Sequence, residues 1–307
     1  MKQIVLAGIL AVQVLIVALI WLLSLQGPAT PEPFLQFDRT TVDRLVLSTA
    51  DESIELRRED DKWSMPDGNP ADERKIDRLL ERLEDVAGDW PVATSEGTAK
   101  RFEVTEDTFQ KHVAVFAGEE SFADIYLGTS PSFRKAHARS VKGGPVYAID
   151  FSNHEASTTL NSWLDKSLLR PTGPITEFER VGNYSLNDGE DGWESQPESE
   201  LDVSKVRSYM DRFESLTVFE LSETEIGDAE PRAQFVISDE AGSYTLSVYY
   251  IEDSEDWLAH SDRHVSYYGL ASYVGSEMVK DLTDLAPDEE ETDDVIITTE
   301  DITDETD

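Results

Sequence analysis

The sequence predicts an α+β protein: an N-terminal transmembrane helix, two similar strand-rich α+β repeats, and a disordered acidic C-terminal tail. Three observations carry this reading. Residues 4–25 are apolar apart from Gln13 and Ser24. The chain resembles itself when displaced by 130 positions. Residues 286–307 hold eleven acidic side chains and no basic one.

At about 1.5 Å per residue, the first run reaches roughly 33 Å, enough to cross the hydrocarbon core. Lys2 precedes it, while residues 26–38 carry no positive charge. The charge rule therefore puts the N-terminus in the cytoplasm and the remaining chain outside. The nearest cleavage-like site, Gly27-Pro28-Ala29, has proline in its middle, so residues 1–26 read as an uncleaved anchor. Gln13 is a single amide that such an anchor tolerates. The expected location is the inner membrane, single-pass, with residues 4–25 in the bilayer and a periplasmic ectodomain. The absence of cysteine removes lipid attachment, disulfides and thiolate chemistry.

With 64 acidic against 26 basic residues, the formal charge is −38. Such a surface repels phosphate backbones, which excludes nucleic acid as a partner. It suits a protein dissolved in salty water, where screening relieves the self-repulsion.

Residues 27–41, with three prolines in the first seven, read as a stiff stalk. The first repeat is expected over residues 42–172. It opens with strands at 42–48, 53–58 and 62–65. Asn69-Pro70 then offers a helix start, and Ile76, Leu79, Leu80, Leu83 and Val86 follow at helical spacing. Strands at 112–116, 122–127, 135–140 and 146–149 come next, closed by a helix over 157–168. The second repeat is expected over 173–285. The tail, 286–307, lacks the apolar content to fold alone.

The displacement of 130 places Leu186 on Leu56, Trp193 on Trp63, Asp202 on Asp72, Lys205 on Lys75, Val206 on Ile76, Met210 on Leu80 and Phe213 on Leu83. A helix that keeps its buried face fixes where such apolar residues sit, so both halves should pack the same strand-turn-strand-helix unit. Trp63 and Trp193 read as core anchors. Farther on, Ala136-His137-Ala138-Arg139 and Ala259-His260-Ser261-Asp262-Arg263 occupy comparable places, each before a short strand with tyrosine.

The order of motifs is informative: an anchor, a hairpin ending in Lys62-Trp63-Ser64-Met65-Pro66, a helix opening with Ala71-Asp72, then Tyr126-Leu127-Gly128, Pro145-Val146-Tyr147 and Trp163-Leu164-Asp165. In this order and spacing the chain resembles the family called domain of unknown function 4340. The resemblance implies an accessory membrane protein working beside an ABC transporter of the gliding-motility type, with no catalytic residue attached. Arg101-Phe102-Glu103-Val104-Thr105 departs from the Gly-Leu-Asp/Glu-x-Pro-like turn expected there.

The search for chemistry finds little. None of the histidines His112, His137, His154, His260 and His264 shows zincin spacing on a convincing helix, so no metal is expected. Ser261, Asp262 and His264 have the residue types of a catalytic triad, but neighbours on one strand cannot form that relay. Asn187-Asp188-Gly189-Glu190-Asp191-Gly192 lacks the spacing of a calcium loop. No phosphate-binding glycine loop is present, so neither nucleotide nor other cofactor is expected. Tyr249, Tyr250, Tyr267 and Tyr268 form an aromatic set in the second repeat only and are the expected partner contact. The leading expectation is therefore a binding subunit, not an enzyme, contacting an ABC-type permease or another envelope protein. The competing one is an envelope-polymer hydrolase with a carboxylate pair.

Overall fold

The computed structural model describes residues 13, 14, 16, 17 and 34–288 except 87, 89, 191, 225 and 228. The expected anchor, apart from Gln13, Val14, Ile16 and Val17, lies outside the described residues, as do residues 27–33 of the Pro-rich stretch and residues 289–307 of the tail. Among the described residues no helix is long and apolar enough to cross a membrane. The chain divides into two compact units between Asp165 and Lys166.

The first unit builds a seven-stranded antiparallel sheet from β1 (Arg44–Ser48), β2 (Ser53–Glu59), β3 (Lys62–Ser64), β4 (Lys111–Ala117), β5 (Glu120–Leu127), β6 (Ala136–Ser140) and β7 (Tyr147–Ile149). Its order is β3-β2-β1-β4-β5-β6-β7. Between β3 and β4 run helices α1 (Glu73–Glu84) and α2 (Glu96–Arg101). Alternation along the strands buries Leu45, Leu47, Ile54, Leu56, Val113, Val115 and Ile125 on one face. Helix α1 buries Ile76, Leu79, Leu80 and Leu83, as its spacing predicts.

The second unit repeats the plan with β8 (Glu177–Arg180), β9 (Tyr184–Gly189), β10 (Gly192–Gln196), β11 (Glu220–Leu221), β12 (Ala233–Asp239), β13 (Gly242–Ile251), β14 (Asp256–Ser261) and β15 (Tyr268–Leu270). The sheet order β10-β9-β8-β12-β13-β14-β15-β11 copies the first, with β11 added at one edge. Helix α3 (Val203–Glu214) buries Val206, Tyr209, Met210 and Phe213, each 130 positions after its counterpart. A shorter helix, α4 (Ser272–Met278), follows β15. Where the first unit packs Leu45, Leu79, Leu83 and Val113, the second packs aromatic rings: Phe178 meets Tyr209, Phe213 and Phe235 at centroid distances of 5.5, 4.9 and 5.4 Å.

Register upholds the repeat residue by residue. Leu45 pairs with Leu56 and Val115, as Phe178 pairs with Leu186 and Ile237. Trp63 lies opposite Arg58, and Trp193 opposite Asp188. Asp72 and Asp202 cap their helices by accepting from the backbone N–H of Lys75 and of Ser204 and Lys205. Each cap residue also donates its own N–H to the closing segment of its repeat, Asp72 to Trp163 at 2.7 Å and Asp202 to Leu285 at 2.8 Å. The matching lysines reach the same segments, Lys75 to the Ser162 carbonyl and Lys205 to the Ala286 carbonyl.

Several expectations are corrected. The first helix is capped by Asp72; Asn69-Pro70 belongs to the turn before it, where Asn69 accepts from the Met65 N–H. No helix spans 157–168: Leu164 bridges Ala71 in antiparallel fashion, an extended conformation that a helix forbids, and Leu160–Ser162 makes only a 3-10 turn. Residues 34–41 pack on the first unit, with Phe34 donating to the Val86 carbonyl and its ring 5.1 Å from Tyr147. Trp63 is buried, but Trp193 only half so. Met65, Asn69 and Ala71 are buried where the loop after β3 folds back, whereas the loop after β10 runs exposed. The ladder also moves the later correspondence by two residues: Ala138 and Ala259 share a place, so His260 matches Arg139.

Candidate functional site

The aromatic set of the second unit divides between the two faces of its sheet. Tyr268 lies opposite Ala259, itself opposite Val248, on the helix-bearing face, and is fully buried. It is core, which removes it from the expected contact set: its ring fills the space that Tyr147 half fills at the same register in the first unit. Tyr249 and Tyr267 are half-buried on the opposite face, in edge-to-face contact at 5.7 Å, with His260 4.8 Å from Tyr267. Burial and the neighbouring Tyr267 phenol raise the Tyr249 pKa. Tyr250, 36% exposed, rests on Trp257 at 5.0 Å and borders an open recess with Arg232. The four tyrosines therefore do not make one surface.

In the first unit the place of Tyr249 is taken by Gly128, because a loop lies directly on it. A side chain there would begin 2.0 Å from the Phe102 carbonyl oxygen. That loop is the stretch at 101–105 expected as a family turn. Glu103 sits at φ +59°, Val104 is buried with Ala99 and Val146, and Phe102 stacks on His137 at 4.0 Å. His137 is buried, with Nδ1 2.9 Å from the Thr129 hydroxyl, and burial lowers its pKa. Helix α2 is fixed over the same face by the Arg139 guanidinium, which donates to both Glu96 oxygens at 2.9 and 2.6 Å.

Beside this loop lies a polar chain that pattern reading missed. Ser48 on β1, His112 on β4 and Asp124 on β5 are aligned across three neighbouring strands, Oγ to Nδ1 at 3.3 Å and Nε2 to Oδ1 at 2.6 Å. Tyr126 and Phe109 flank the imidazole at 5.4 and 6.0 Å. Only the pairing Ser48↔His112 brings together residues 64 positions apart, so no sequence spacing announces them. The second unit places Val181, Gln234 and Thr245 at these positions, so the chain is peculiar to the first. By contrast, Ser261, Asp262 and His264 turn to separate partners: the Arg263 N–H, the Thr245 N–H and the Leu168 carbonyl. No group of three potential metal ligands occurs among the described residues.

In the second unit a partly apolar groove of about 380 Å³ lies where α3 leads into β11. Leu216, Val218 and Ala271 line it, and Lys166 and Arg212 stand at its rim. Its lips are Phe219 and Tyr273, 62% and 74% exposed. Neither aromatic belongs to a periodic pattern, which is why sequence reading passed over them.

A family model described as Domain of unknown function (DUF4340) matches residues 70–234, over half of the chain. The chain belongs to the DUF4340 family. The matched stretch of this DUF4340 chain runs from α1 of the first unit to β12 of the second and includes Asp72, His112, Gly128, His137, Trp163 and Asp202. Ser48, Tyr249, Tyr250, Tyr267, Tyr268 and Tyr273 lie outside it. Neither the curated proteins nor the solved structures give a match.

Proposed function

We propose that this DUF4340 protein works by binding, as a membrane-anchored accessory subunit whose tandem units stand in the periplasm and contact an ABC-type permease or another envelope protein. The observation that carries the reading is the groove of the second unit, whose lining combines two large exposed aromatic rings, Phe219 and Tyr273, with apolar Leu216, Val218 and Ala271 and the cations Lys166 and Arg212. Exposed aromatic lips around a desolvated floor are the chemistry of interface anchors, since they give contact area at little entropic cost. The remaining surface, dominated by carboxylates, makes poor interface core. The apolar run and Lys2 support the anchor and its orientation. The test is to solubilise the full chain in detergent, recover it, and ask whether permease and ATPase subunits come with it. Phe219→Ser with Tyr273→Ser should lose them while keeping the melting temperature within a few degrees.

No carboxylate pair supports the expected hydrolase among the described residues, and a hydrolase of another kind would have to rest on the Ser48–His112–Asp124 chain. Its surroundings argue against acyl transfer. Strand β1 lies between β2 and β4, and β4 between β1 and β5, so their amides point in the sheet plane and into ladder bonds. None is aimed at the face where an oxyanion would develop. Among the described residues the carboxyls with displaced pKa values, Asp38, Glu96 and Asp202, are all held low by hydrogen bonds, from Thr40, Arg139 and Ser204 first. A general acid needs the opposite displacement. A fluorophosphonate probe should leave Ser48 unlabelled.

A further inference from the structure

We propose that residues 293–297 of the chain's own C-terminal tail, Asp-Asp-Val-Ile-Ile, occupy the groove of the second unit and cover Phe219 and Tyr273 until a partner displaces them. This rests on the groove being the contact site and adds its regulation. The described residues end at Asp288, beside the start of α3. Asp288 is held at Lys205, whose Nζ donates to its carboxylate at 2.6 Å and to the Ala286 carbonyl at 2.8 Å. From Lys205 to Arg212, at the rim of the groove, is about 10 Å along α3 at 1.5 Å per residue. The five residues from Asp288 to Asp293 reach roughly 17 Å when extended, so the apolar triplet Val295, Ile296 and Ile297 arrives at the groove without strain.

Charge favours the same occupant. The path from Asp288 to the groove runs over a recess of about 350 Å³ lined by Lys205, Arg212, Lys280 and Asp284, and ends at Lys166. Arg212 and Lys280 share Glu277 and Lys205 holds Asp288, so four cations stand against three carboxylates, Glu277, Asp284 and Asp288, along the way. This is a positive track on a chain with a net charge of −38. Residues 289–294 hold five carboxylates, and the residues that follow them are the triplet itself. Acid followed by aliphatic side chains is the complement of a cationic track leading to an apolar floor. Being tethered, the tail competes at a high effective concentration and needs little intrinsic affinity.

The test compares the full chain with one ending at Asp288, using a synthetic peptide of residues 289–307 as the probe. The shortened chain should bind the peptide about tenfold more tightly than the full chain, whose own tail blocks the site. Replacing Val295, Ile296 and Ile297 by serine in the peptide, or raising the salt, should weaken that binding. Because the chain has no cysteine, Ser215→Cys with Thr298→Cys should close a disulfide within one chain under mild oxidation. Equal peptide binding by both chains, no binding to the shortened chain, or a cross-link formed only between two copies would overturn the proposal. Partner recovery separates the two readings. If the peptide binds as expected but shortening does not raise recovery, the contact-site reading fails. If Phe219→Ser with Tyr273→Ser loses the partner while the peptide never binds, the tail docking fails.

Discussion

Gly128 shows how one residue fixes the architecture around it. A Cβ there would stand 2.0 Å from the Phe102 oxygen and 2.5 Å from the Glu103 oxygen, both backbone atoms that no rotamer change can move. Gly128→Ala should therefore cost about 3 kcal/mol or more, at the upper end of overpacking, read as the denaturant midpoint of the first unit. Gly275→Ala, directed 2.4 Å from the Trp257 ring, should destabilise the second unit in the same way. His137 makes a pH-dependent case beneath the same loop. Burial lowers its pKa in the folded state, so the unfolded chain takes up the proton first as the pH falls. Stability is complete above the ordinary histidine value and declines as the pH falls through the folded one. The melting temperature of wild type minus that of His137→Asn should therefore drop between pH 7.5 and pH 5.5; no change in that difference would refute the assignment.

The long helix of each unit and the hairpin before it were legible in the sequence, and the reason is periodicity; the short helices α2 and α4 were not. Ile76, Leu79, Leu80 and Leu83 repeat at helical spacing and return 130 positions later, so the same face is buried twice. Asp72→Ala and Asp202→Ala should each cost about 1 kcal/mol, because each removes an acceptor from a helix start. What periodicity could not show is how much covers an element. Trp63 and Trp193 share a register, yet only the first is roofed by its loop. Trp63→Ala should cost about 3–5 kcal/mol, and Trp193→Ala clearly less, about 1–2 kcal/mol. The missing helix at 157–168 has a similar origin. The spacing of Leu160, Trp163, Leu164 and Leu168 suggested a helix, and a long-range bridge to Ala71 extended the chain instead. Ser48, His112 and Asp124 were illegible because only strand pairing unites them, while Tyr268 was misplaced because a strand's two faces carry similar residues when both are covered.

At the scale of the whole molecule, one strand order serves two units that have diverged on the face without the long helix. The first unit roofs that face with α2 and the 101–105 loop; the second leaves its tyrosine pair there and exposes aromatic lips near the end of α3. One copy thus covers this face and the other leaves it open, and the binding role proposed above places contact in the second. The measurement that tests this most directly is recovery of the detergent-solubilised full chain from its native membranes, wild type beside Phe219→Ser/Tyr273→Ser, with the companions identified by mass. Permease and ATPase subunits that accompany the wild type and fall away from a variant that still melts at the wild-type temperature are the expected result. The same companions in the same amounts with both chains, or none with either, would contradict it.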